Sequence, residues 1–575
     1  MIDLLQINPG LWVILAGIIC AFMPVGQIRK ALVLFAPIFA GVMIFQIYGA
    51  QEVIGGVITF AGMDYTTLRI DRLSMIWGYL FCLAGVLNAI YGLHEKCKIT
   101  DSSALIYMGA ALAGVFSGDL LTLFIFWELA AISSVFLVWK GGERSYASGI
   151  RYLAIHVLSG VLLLAGAIVY GKANGGDFTF EHIGLGAPGG WLLLLAMGIK
   201  CGFPFLHNWI QDAYPKASIT GTVILSAFTT KLALYALARG FAGEDILIYI
   251  GAIMTCFPVF FAVIENDLRR VLSYSLNNQL GFMVCGIGIG TPLAMNGVAA
   301  HVVADVIFKG LLFMSMGAVM LRTGTTKASE LGGLFRSMPF TTVFCLIGAG
   351  SIAAFPLLSA FVTKSMILTA ALEEHLWVPL AMLLFASAGV MEHSGIKVPY
   401  FTFFSHDSGR RVKEAPWNML TAMGLASLLC IVFAFPFGGY QFLYSLLPYE
   451  VDYHPYTPDH VIFQLQLLFA AITAFCVLKK YGLYPDERRA EIIDFDWTYR
   501  KLGLGIAKWI GKMWTRLSTN ITAIRTSCIE GAGKRLYQMF SPAGAMSEAA
   551  PSGLAAVLTA GMLVVALMIM FITSM

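Results

Sequence analysis

Charge is scarce in this sequence. Lys, Arg, Asp and Glu make up 12% of the residues, whereas hydrophobic residues make up 58%. An ordinary soluble domain carries about a quarter of charged residues. This composition and a mean hydropathy of +0.78 therefore exclude a soluble domain and predict an all-α, polytopic membrane protein.

Sequence motifs that bind metals, nucleotides, haem or nucleic acid are also missing. The ten cysteines are scattered, with no CxxC pair and no zinc-ligand spacing. The chain has no Walker loop, no GxGxxG–helix unit, no persuasive histidine pair for haem and no lysine-rich tract. We expect no cofactor, no metal site, no catalytic or redox centre and no nucleic-acid partner for this chain. No basic residue precedes the first apolar run, which follows Asp3, so we expect no cleaved signal peptide.

Long apolar runs fill most of the chain. Runs of about 17 to 25 residues are needed to cross a bilayer, and the sequence predicts about sixteen of them. They are 11–25, 30–48, 73–93, 102–117, 119–139, 150–171, 190–206, 219–239, 246–264, 271–289, 294–320, 339–370, 376–404, 416–436, 460–480 and 554–574.

Basic residues alternate between the connecting loops. Loops after odd-numbered spans are rich in Lys and Arg, whereas several loops after even-numbered spans are acidic. The positive-inside rule then predicts a cytoplasmic location for the basic loops and places both termini outside. Arg69 and Arg72 are the main exceptions.

Five ionisable side chains interrupt separate apolar spans. A charge at mid-bilayer costs about 2.5 to 3.5 kcal/mol, so five of them indicate a polar path through the membrane. A static cluster of salt bridges between helices is the alternative. The five are Glu128, Lys200, Lys231, Lys309 and Lys364.

Two of these lysines lie near prolines within their spans. Pro204 follows Lys200 by one turn, and Pro356 precedes Lys364 by two turns. Broken helices at corresponding positions of two halves are typical of transporter sites. The sequence therefore predicts discontinuous helices here, with an ordinary proline kink as the alternative.

Further polar groups lie on two other spans. His301, Asp305 and Lys309 are spaced by four residues and share one helix face, and Asp305 is a candidate counter-ion for Lys309 or Lys231. Glu392, His393 and Lys397 either extend the path towards the cytoplasm or lie at the membrane interface. We favour the interface, with Lys397 snorkelling to the surface.

One histidine and one segment are interpreted as structural rather than as part of the polar path. His156 is more typical of a packing residue between helices than of a relay member. Residues 498–530 combine apolar residues at helical spacing with interspersed Lys, Arg and Trp. This pattern predicts an amphipathic helix along the cytoplasmic face, where it could contact lipid or neighbouring subunits.

An ordered set of motifs points to a family. These motifs are FIFWELAAISS, KCGFPFLHNWIQDA, KLALYALAR, DLRRVLSYSLNNQLG, FKGLLF and PLLSAFVTKSMI. Together, over residues 70–370, they resemble the proton-conducting membrane subunits shared by respiratory complex I and Mrp-type sodium/proton antiporters. FDWTYRK (495–501) resembles a segment of the largest such subunits, whereas Lys231 looks more like the D-type subunits of the antiporters.

The resemblance implies roles for matching positions. Glu128 and Lys200 would form a coupled pair, Lys231 a bridge, Lys309 the centre and Lys364 the exit side. It also implies two inverted five-helix repeats, each forming half of a proton channel. The family commonly has a second histidine where this chain has Asp305, which puts the local relay chemistry in question.

The resemblance further implies membership of a cation/proton antiporter complex in the bacterial inner membrane. The alternative is the proton-pumping membrane arm of a complex I-like NADH:quinone oxidoreductase or a membrane-bound hydrogenase, which leaves open a role within an enzyme. The expected partners are other membrane subunits, lipid, protons and either Na⁺ or K⁺. The predicted segments are 1–100 (N-terminal helices), 101–240 and 241–405 (the repeats), 406–490 (C-terminal helices), 491–545 (amphipathic segment) and 546–575 (terminal helix).

Overall fold

The computed structural model describes residues 7–47, 52–60, 62–485, 487, 492–541, 543–544 and 552–573. Asp3 and part of the predicted terminal segment 546–575 lie outside these residues. By contacts the chain divides into two units, Met1–Ile492 and Ile493–Met575.

Helices form most of the described residues of the first unit. The α-helices in chain order are α1 (Pro9–Phe22), α2 (Gln27–Ile47), α3 (Arg72–Tyr91), α4 (Lys98–Val115), α5 (Leu120–Trp139), α6 (Glu143–Ala173), α7 (Gly190–Cys201), α8 (Asn208–Ala213), α9 (Ile219–Ala227), α10 (Thr229–Gly240), α11 (Asp245–Ile264), α12 (Leu268–Ile289), α13 (Pro292–Thr323), α14 (Pro339–Ile352), α15 (Ser359–Glu373), α16 (Trp377–Val390), α17 (Trp417–Val432), α18 (Gly439–Ser445) and α19 (Pro458–Lys480). Short 3₁₀ turns occur at Gly92–His94, Tyr214–Lys216, Ala328–Glu330 and Leu334–Arg336, and α16 continues into π-helical turns at Met391–Lys397 and Tyr400–Phe404.

Each predicted span overlaps a described helix. Eight helical stretches within the described residues are long and apolar enough to cross a membrane, and in α13 an eighteen-residue apolar stretch is completely buried within the protein. Several other apolar helices, such as α1 and α17, are shorter than eighteen residues. The chain is therefore a polytopic helical membrane protein, and the count of sixteen spans stays a prediction.

A β-hairpin corrects the all-α prediction. Strands β1 (Val53–Phe60) and β2 (Met63–Ile70) pair antiparallel between α2 and α3. Both runs are rich in Val, Ile and Thr, which favour strands, so the sequence carries a local signal for this hairpin. Arg69, an exception to the charge alternation, lies on β2 and pairs with Glu52 at 2.7 Å.

Glycines allow close helix packing at the start of the second predicted repeat. A Cβ at Gly251 on α11 would overlap the backbone of Cys285 on α12, and one at Gly281 would lie 2.6 Å from the Thr255 amide nitrogen. The two backbones therefore approach each other where neither carries a side chain. This contact fixes α12, which supplies several of the polar groups described below.

Two helices break at the predicted prolines. After α7, Gly202 has φ 80° and Phe205 has φ 69°, and α8 begins at Asn208. After α14, Ala354 has φ 59° and Leu357 has φ 74°, and α15 begins at Ser359. The prediction of discontinuous helices around Pro204 and Pro356 is confirmed.

Among its described residues, the second unit contains two helices and a π-helical turn. The turn Thr498–Gly503 leads into α20 (Leu504–Phe540), which has no buried residue, and Ser552–Thr573 forms the terminal helix. The predicted helix over 498–530 is thus present. Its location at the cytoplasmic face stays a prediction.

Candidate functional site: a buried row of charged side chains

A completely buried ion pair lies within the first unit. Lys231 Nζ lies 2.7 Å from Asp305 Oδ2, and neither side chain is exposed. Of the two lysines proposed as partners of Asp305, the structure thus pairs it closely with Lys231. The pair joins α10 to α13, and so links the two predicted repeats.

Lys231 follows a break in its own helix. The sequence predicts one helix over 219–239, but Phe228, with φ −110° and ψ −63°, separates α9 from α10. The amide of Thr229 donates to the Tyr107 hydroxyl at 2.9 Å, and the Leu225 carbonyl accepts from the Tyr214 hydroxyl at 2.8 Å. In an unbroken helix these two backbone groups would bond to each other. Two buried tyrosines therefore replace one helical hydrogen bond.

The break also supplies an acceptor for the lysine. Lys231 Nζ donates to the carbonyl of Ser226 at 3.1 Å. The carbonyl of Lys231 itself accepts from the Trp77 indole at 3.0 Å. Lys231 is thus held by a carboxylate and a carbonyl without access to solvent. Non-helical backbone is tolerated at membrane depth only where such partners satisfy it.

Glu128 and Lys200 are neighbours without a direct bond. Lys200 Nζ donates to the carbonyl of Trp127 at 2.6 Å and lies 4.3 Å from the centre of its ring. Among the described residues Glu128 Oε1 has no hydrogen-bond partner. A Cβ at Gly160 on α6 would overlap that oxygen, so this glycine makes room for the carboxylate. The predicted pair is open in this structure.

His301 is held at both ring nitrogens. Nδ1 lies 2.8 Å from the Thr363 hydroxyl, and Nε2 lies 3.1 Å from Gln279 Oε1. Gln279 in turn donates to Asn278 Oδ1 at 2.7 Å. This polar chain connects α13 with α12 and α15 in the interior of the protein.

Lys309 donates to a hydroxyl rather than to a carboxylate. Its Nζ lies 2.7 Å from Ser275 Oγ, which also accepts from Ser394 Oγ at 2.7 Å. The hydroxyl chain leads from α13 through α12 to the π-helical turn after α16. His393, next to Ser394, is completely buried, and neither of its ring nitrogens has a hydrogen-bond partner among the described residues.

Lys364 is held by the broken helix that precedes it. Its Nζ donates to the carbonyl of Ile352, the last residue of α14, at 3.0 Å. It also lies 4.8 Å from the centre of the Phe282 ring. A helix C-terminus favours a cation, so the break positions this lysine directly.

The snorkelling interpretation of Lys397 is wrong. Its side chain is completely buried, and Nζ donates to the carbonyls of Val263 at 2.6 Å and Glu265 at 2.7 Å. Glu392 of the same π-helical turn accepts from the Tyr484 hydroxyl. Carbonyls at the end of α11 therefore hold this ammonium inside the protein.

The remaining histidine candidate packs against aromatic rings. His156 lies 4.1 Å from the ring of Tyr152 and 4.4 Å from that of Trp209 between ring centres. Contacts of this kind agree with the packing interpretation of this residue.

Sequence reasoning missed several uncharged residues of the site. They hold the charged groups in place from other helices and carry no distinctive spacing. These residues are Trp77, Tyr107, Trp127, Tyr214, Ser275, Gln279, Thr363 and Ser394.

Comparison with known proteins agrees with the resemblance. A family model described as "NADH:quinone oxidoreductase/Mrp antiporter, TM" matches residues 117–390. The chain is 30% identical over 386 residues to the D-type subunit of a Na⁺/H⁺ antiporter from Alkalihalophilus pseudofirmus, in a match that covers 63% of this chain and 76% of that one. It is 29% identical over 456 residues to the A/B-type subunit of a probable K⁺/H⁺ antiporter from Rhizobium meliloti, and spans 45% of that protein.

A solved structure shares the fold over nearly the whole length. A chain of the membrane-bound sulfane sulfur reductase, an archaeal respiratory membrane complex, matches with a TM-score of 0.71 and 20% identity. The match covers 97% of this chain and 99% of that one. The sequence relatives, the family model and the buried charged row all lead to one assignment: the chain belongs to the NADH:quinone oxidoreductase/Mrp antiporter family.

Proposed function

We propose that this chain is the proton-translocating membrane subunit of a multisubunit cation/proton antiporter of the Mrp type, and that it takes the place of the D-type component. The observation that carries the proposal is the row of buried ionisable groups. Lys200, Lys231, Lys309 and Lys364 are each at most 1% exposed, and each finds polar partners inside the protein. Such groups are costly in a membrane and mark ion pathways.

The geometry supports a relay driven by charge pairing. When the Glu128 carboxylate approaches Lys200, it stabilises the ammonium form. When the carboxylate moves away, as in this structure, the ammonium is held only by a carbonyl and an aromatic ring. Desolvation then favours release of the proton towards the Lys231–Asp305 pair. The central groups His301 and Lys309 and the exit-side Lys364 continue the row.

Matching breaks support the proposed inverted repeats over 101–240 and 241–405. The first break reads Gly-Phe-Pro-Phe from Gly202, and the second reads Ala-Phe-Pro-Leu from Ala354. In both, the first and fourth residues have positive φ. We place sixteen spans around these repeats, with the remaining helices in 1–100, 406–490 and 546–575. A location in the bacterial inner membrane belongs to the same proposal.

The proposed antiport requires other subunits of the complex. The relatives include components of antiporters, and we infer that this chain works beside other membrane subunits that couple its protons to Na⁺ or K⁺. An isolated chain should transport poorly.

A redox-driven membrane arm is the second candidate function. The fold match to a chain of a respiratory complex over 97% of this chain favours it. The subunits that purify with this chain distinguish the two candidates. Partners with iron–sulfur or nickel motifs would favour the redox arm.

The Glu128→Gln variant tests the relay. It keeps the shape of the side chain and removes the negative charge, so proton flux through proteoliposomes of the assembled complex should fall at least tenfold. Glu143→Gln, at the exposed start of α6, is the matched control and should keep normal flux. Normal flux in the Glu128 variant would show that this residue has only a structural role.

A further inference from the structure

The ammonium of Lys397 occupies a cage of oxygen atoms. Four oxygens surround Nζ: the carbonyls of Ala262 at 3.4 Å, Val263 at 2.6 Å and Glu265 at 2.7 Å, and Glu487 Oε1 at 3.4 Å. An ammonium has three hydrogens, so the cage offers more acceptors than the lysine can use.

The cage is built at the end of a helix. α11 ends at Ile264, so its last carbonyls have no helical partners and carry the negative end of the helix dipole. Carbonyls at helix C-termini are the ligands that transporters use for Na⁺. In this protein they are used instead by a lysine from the π-helical turn after α16, a type of turn that is frequent at functional sites.

The cage also has a carboxylate oxygen that is not used as a hydrogen-bond acceptor. The Glu487 side chain is 9% exposed, and its Oε2 has no hydrogen-bond partner among the described residues. Burial raises the pKa of the Glu487 carboxyl, and Lys397 opposes that shift. A carboxylate with an unused oxygen therefore lies beside three backbone carbonyls.

We propose that the oxygen cage around Lys397 is an alkali-cation site, in which Na⁺ or K⁺ competes with the lysine ammonium. The exchange is balanced in charge. When a cation enters, Lys397 loses one proton and becomes a neutral amine, and the cage still holds one positive charge. A divalent ion would add a second, uncompensated charge to a buried site.

This inference deepens the proposed function, because it gives one location at which a cation and a proton exclude each other. By the predicted topology, the end of α11 faces the cytoplasm. The hydroxyl chain Ser394–Ser275–Lys309 begins three residues before Lys397 along the chain. A proton released here thus lies near the buried row.

Several other titratable or charged groups lie close to the cage. Glu392 and His393 belong to the π-helical turn, Lys479 to the end of α19 and Tyr484 to the stretch that follows α19. Glu265 follows α11, and Arg270 lies in the first turn of α12. Since protons and cations compete, the apparent affinity for the cation should increase with pH.

Proton release on cation binding tests the proposal without transport. The assembled complex in weakly buffered detergent at alkaline pH receives sodium, potassium or choline chloride, while a pH dye and radioactive sodium or rubidium follow release and binding. Wild type should release about one proton for each cation bound, and choline should release none. The sodium and potassium arms identify the ion.

Three variants make the test decisive. At alkaline pH, Lys397→Met should bind the cation without releasing protons, and its cation affinity should depend less on pH than that of the wild type. Lys397→Arg keeps a permanent charge and should neither bind nor release. Lys480→Gln, at the exposed end of α19, should behave as wild type.

Two outcomes would overturn the inference: wild type binds neither cation, or Lys397→Met still releases protons on binding. Proton flux measured on the same preparations separates this result from the proposed function. If the complex conducts protons but binds no cation, the cation site is rejected and the proposed proton relay stands. If it binds a cation and releases protons but conducts none, the relay is rejected and the cation site stands.

Discussion

The two broken helices are alike in backbone and different in what they hold. At the first break the carbonyl of Ile199 accepts from the Trp209 indole at 2.9 Å, a neutral partner. At the second the carbonyl of Ile352 accepts from Lys364. Lys200 instead reaches across to Trp127 on α5, beside Glu128.

The two breaks therefore hold their lysines in different ways. Lys200 is bound to a neighbouring helix and can respond to a carboxylate there. Lys364 is bound to the end of its own broken helix, so its position depends on that break. We therefore expect changes near Glu128 to alter proton transfer, and changes at the second break to alter the position of Lys364.

The largest effect should come from the ion pair that joins the two halves. Asp305→Asn leaves Lys231 buried without its counter-charge, and Lys231→Met leaves the carboxylate alone. Each should destabilise the protein by about 3–5 kcal/mol, measured by thermal unfolding of the assembled complex. The double variant should recover part of the loss. Unchanged unfolding in both single variants would contradict a structural link between the halves.

A substitution at Gly160, in the first predicted repeat, should have a smaller effect, on proton flux. Gly160→Ala places a methyl group where Glu128 Oε1 lies, and a small displacement of a reacting group can cost orders of magnitude in rate. We expect proton flux to fall about tenfold while the complex still assembles. The control is Gly310→Ala on α13, where a Cβ would meet nothing within 4 Å. Equal flux in the two variants would reject the special role of this space.

The two breaks should differ in how a substitution at their first residue changes the stability of the protein. Gly202→Ala forces a side chain into φ 80° and within 2.6 Å of Asn277 Oδ1, which should cost about 1–2 kcal/mol. Ala354→Gly at φ 59° removes a similar strain and should be neutral or stabilising. Thermal unfolding measures both. Destabilisation by the glycine would show that Ala354 contributes more through packing than it costs through strain.

The smallest effect should arise at His301. Thr363→Val removes the hydroxyl at Nδ1, and one hydrogen bond contributes about 1 kcal/mol. Thr363→Ser keeps that hydroxyl and serves as the control. A difference in unfolding between the valine and serine variants is expected, together with slower flux in the valine variant.

Sequence reasoning located the charged row because each residue stands out in an apolar span, and it located two breaks because proline cannot continue a helix. It missed the break at Phe228. No proline or glycine marks that position, and the bend depends on Tyr107, which lies 122 residues from Thr229 in the sequence.

The error at Lys397 has a similar origin. A lysine near the end of a span ordinarily extends to the surface, and only the packing of α11 against the π-helical turn places free carbonyls beside it. The hairpin, in contrast, had a local signal in its β-branched residues, which the search for long apolar runs passed over.

Because of the bend between α9 and α10, the position of the Lys231 ammonium depends on the hydroxyl groups of two uncharged tyrosines. Straightening this stretch would return the Thr229 amide to the Leu225 carbonyl and take the Ser226 carbonyl away from Lys231. Tyr107 and Tyr214 carry no charge themselves, yet we expect that replacing either with phenylalanine would move the ammonium of Lys231. The position of a charge in this protein is thus partly set by groups that carry no charge.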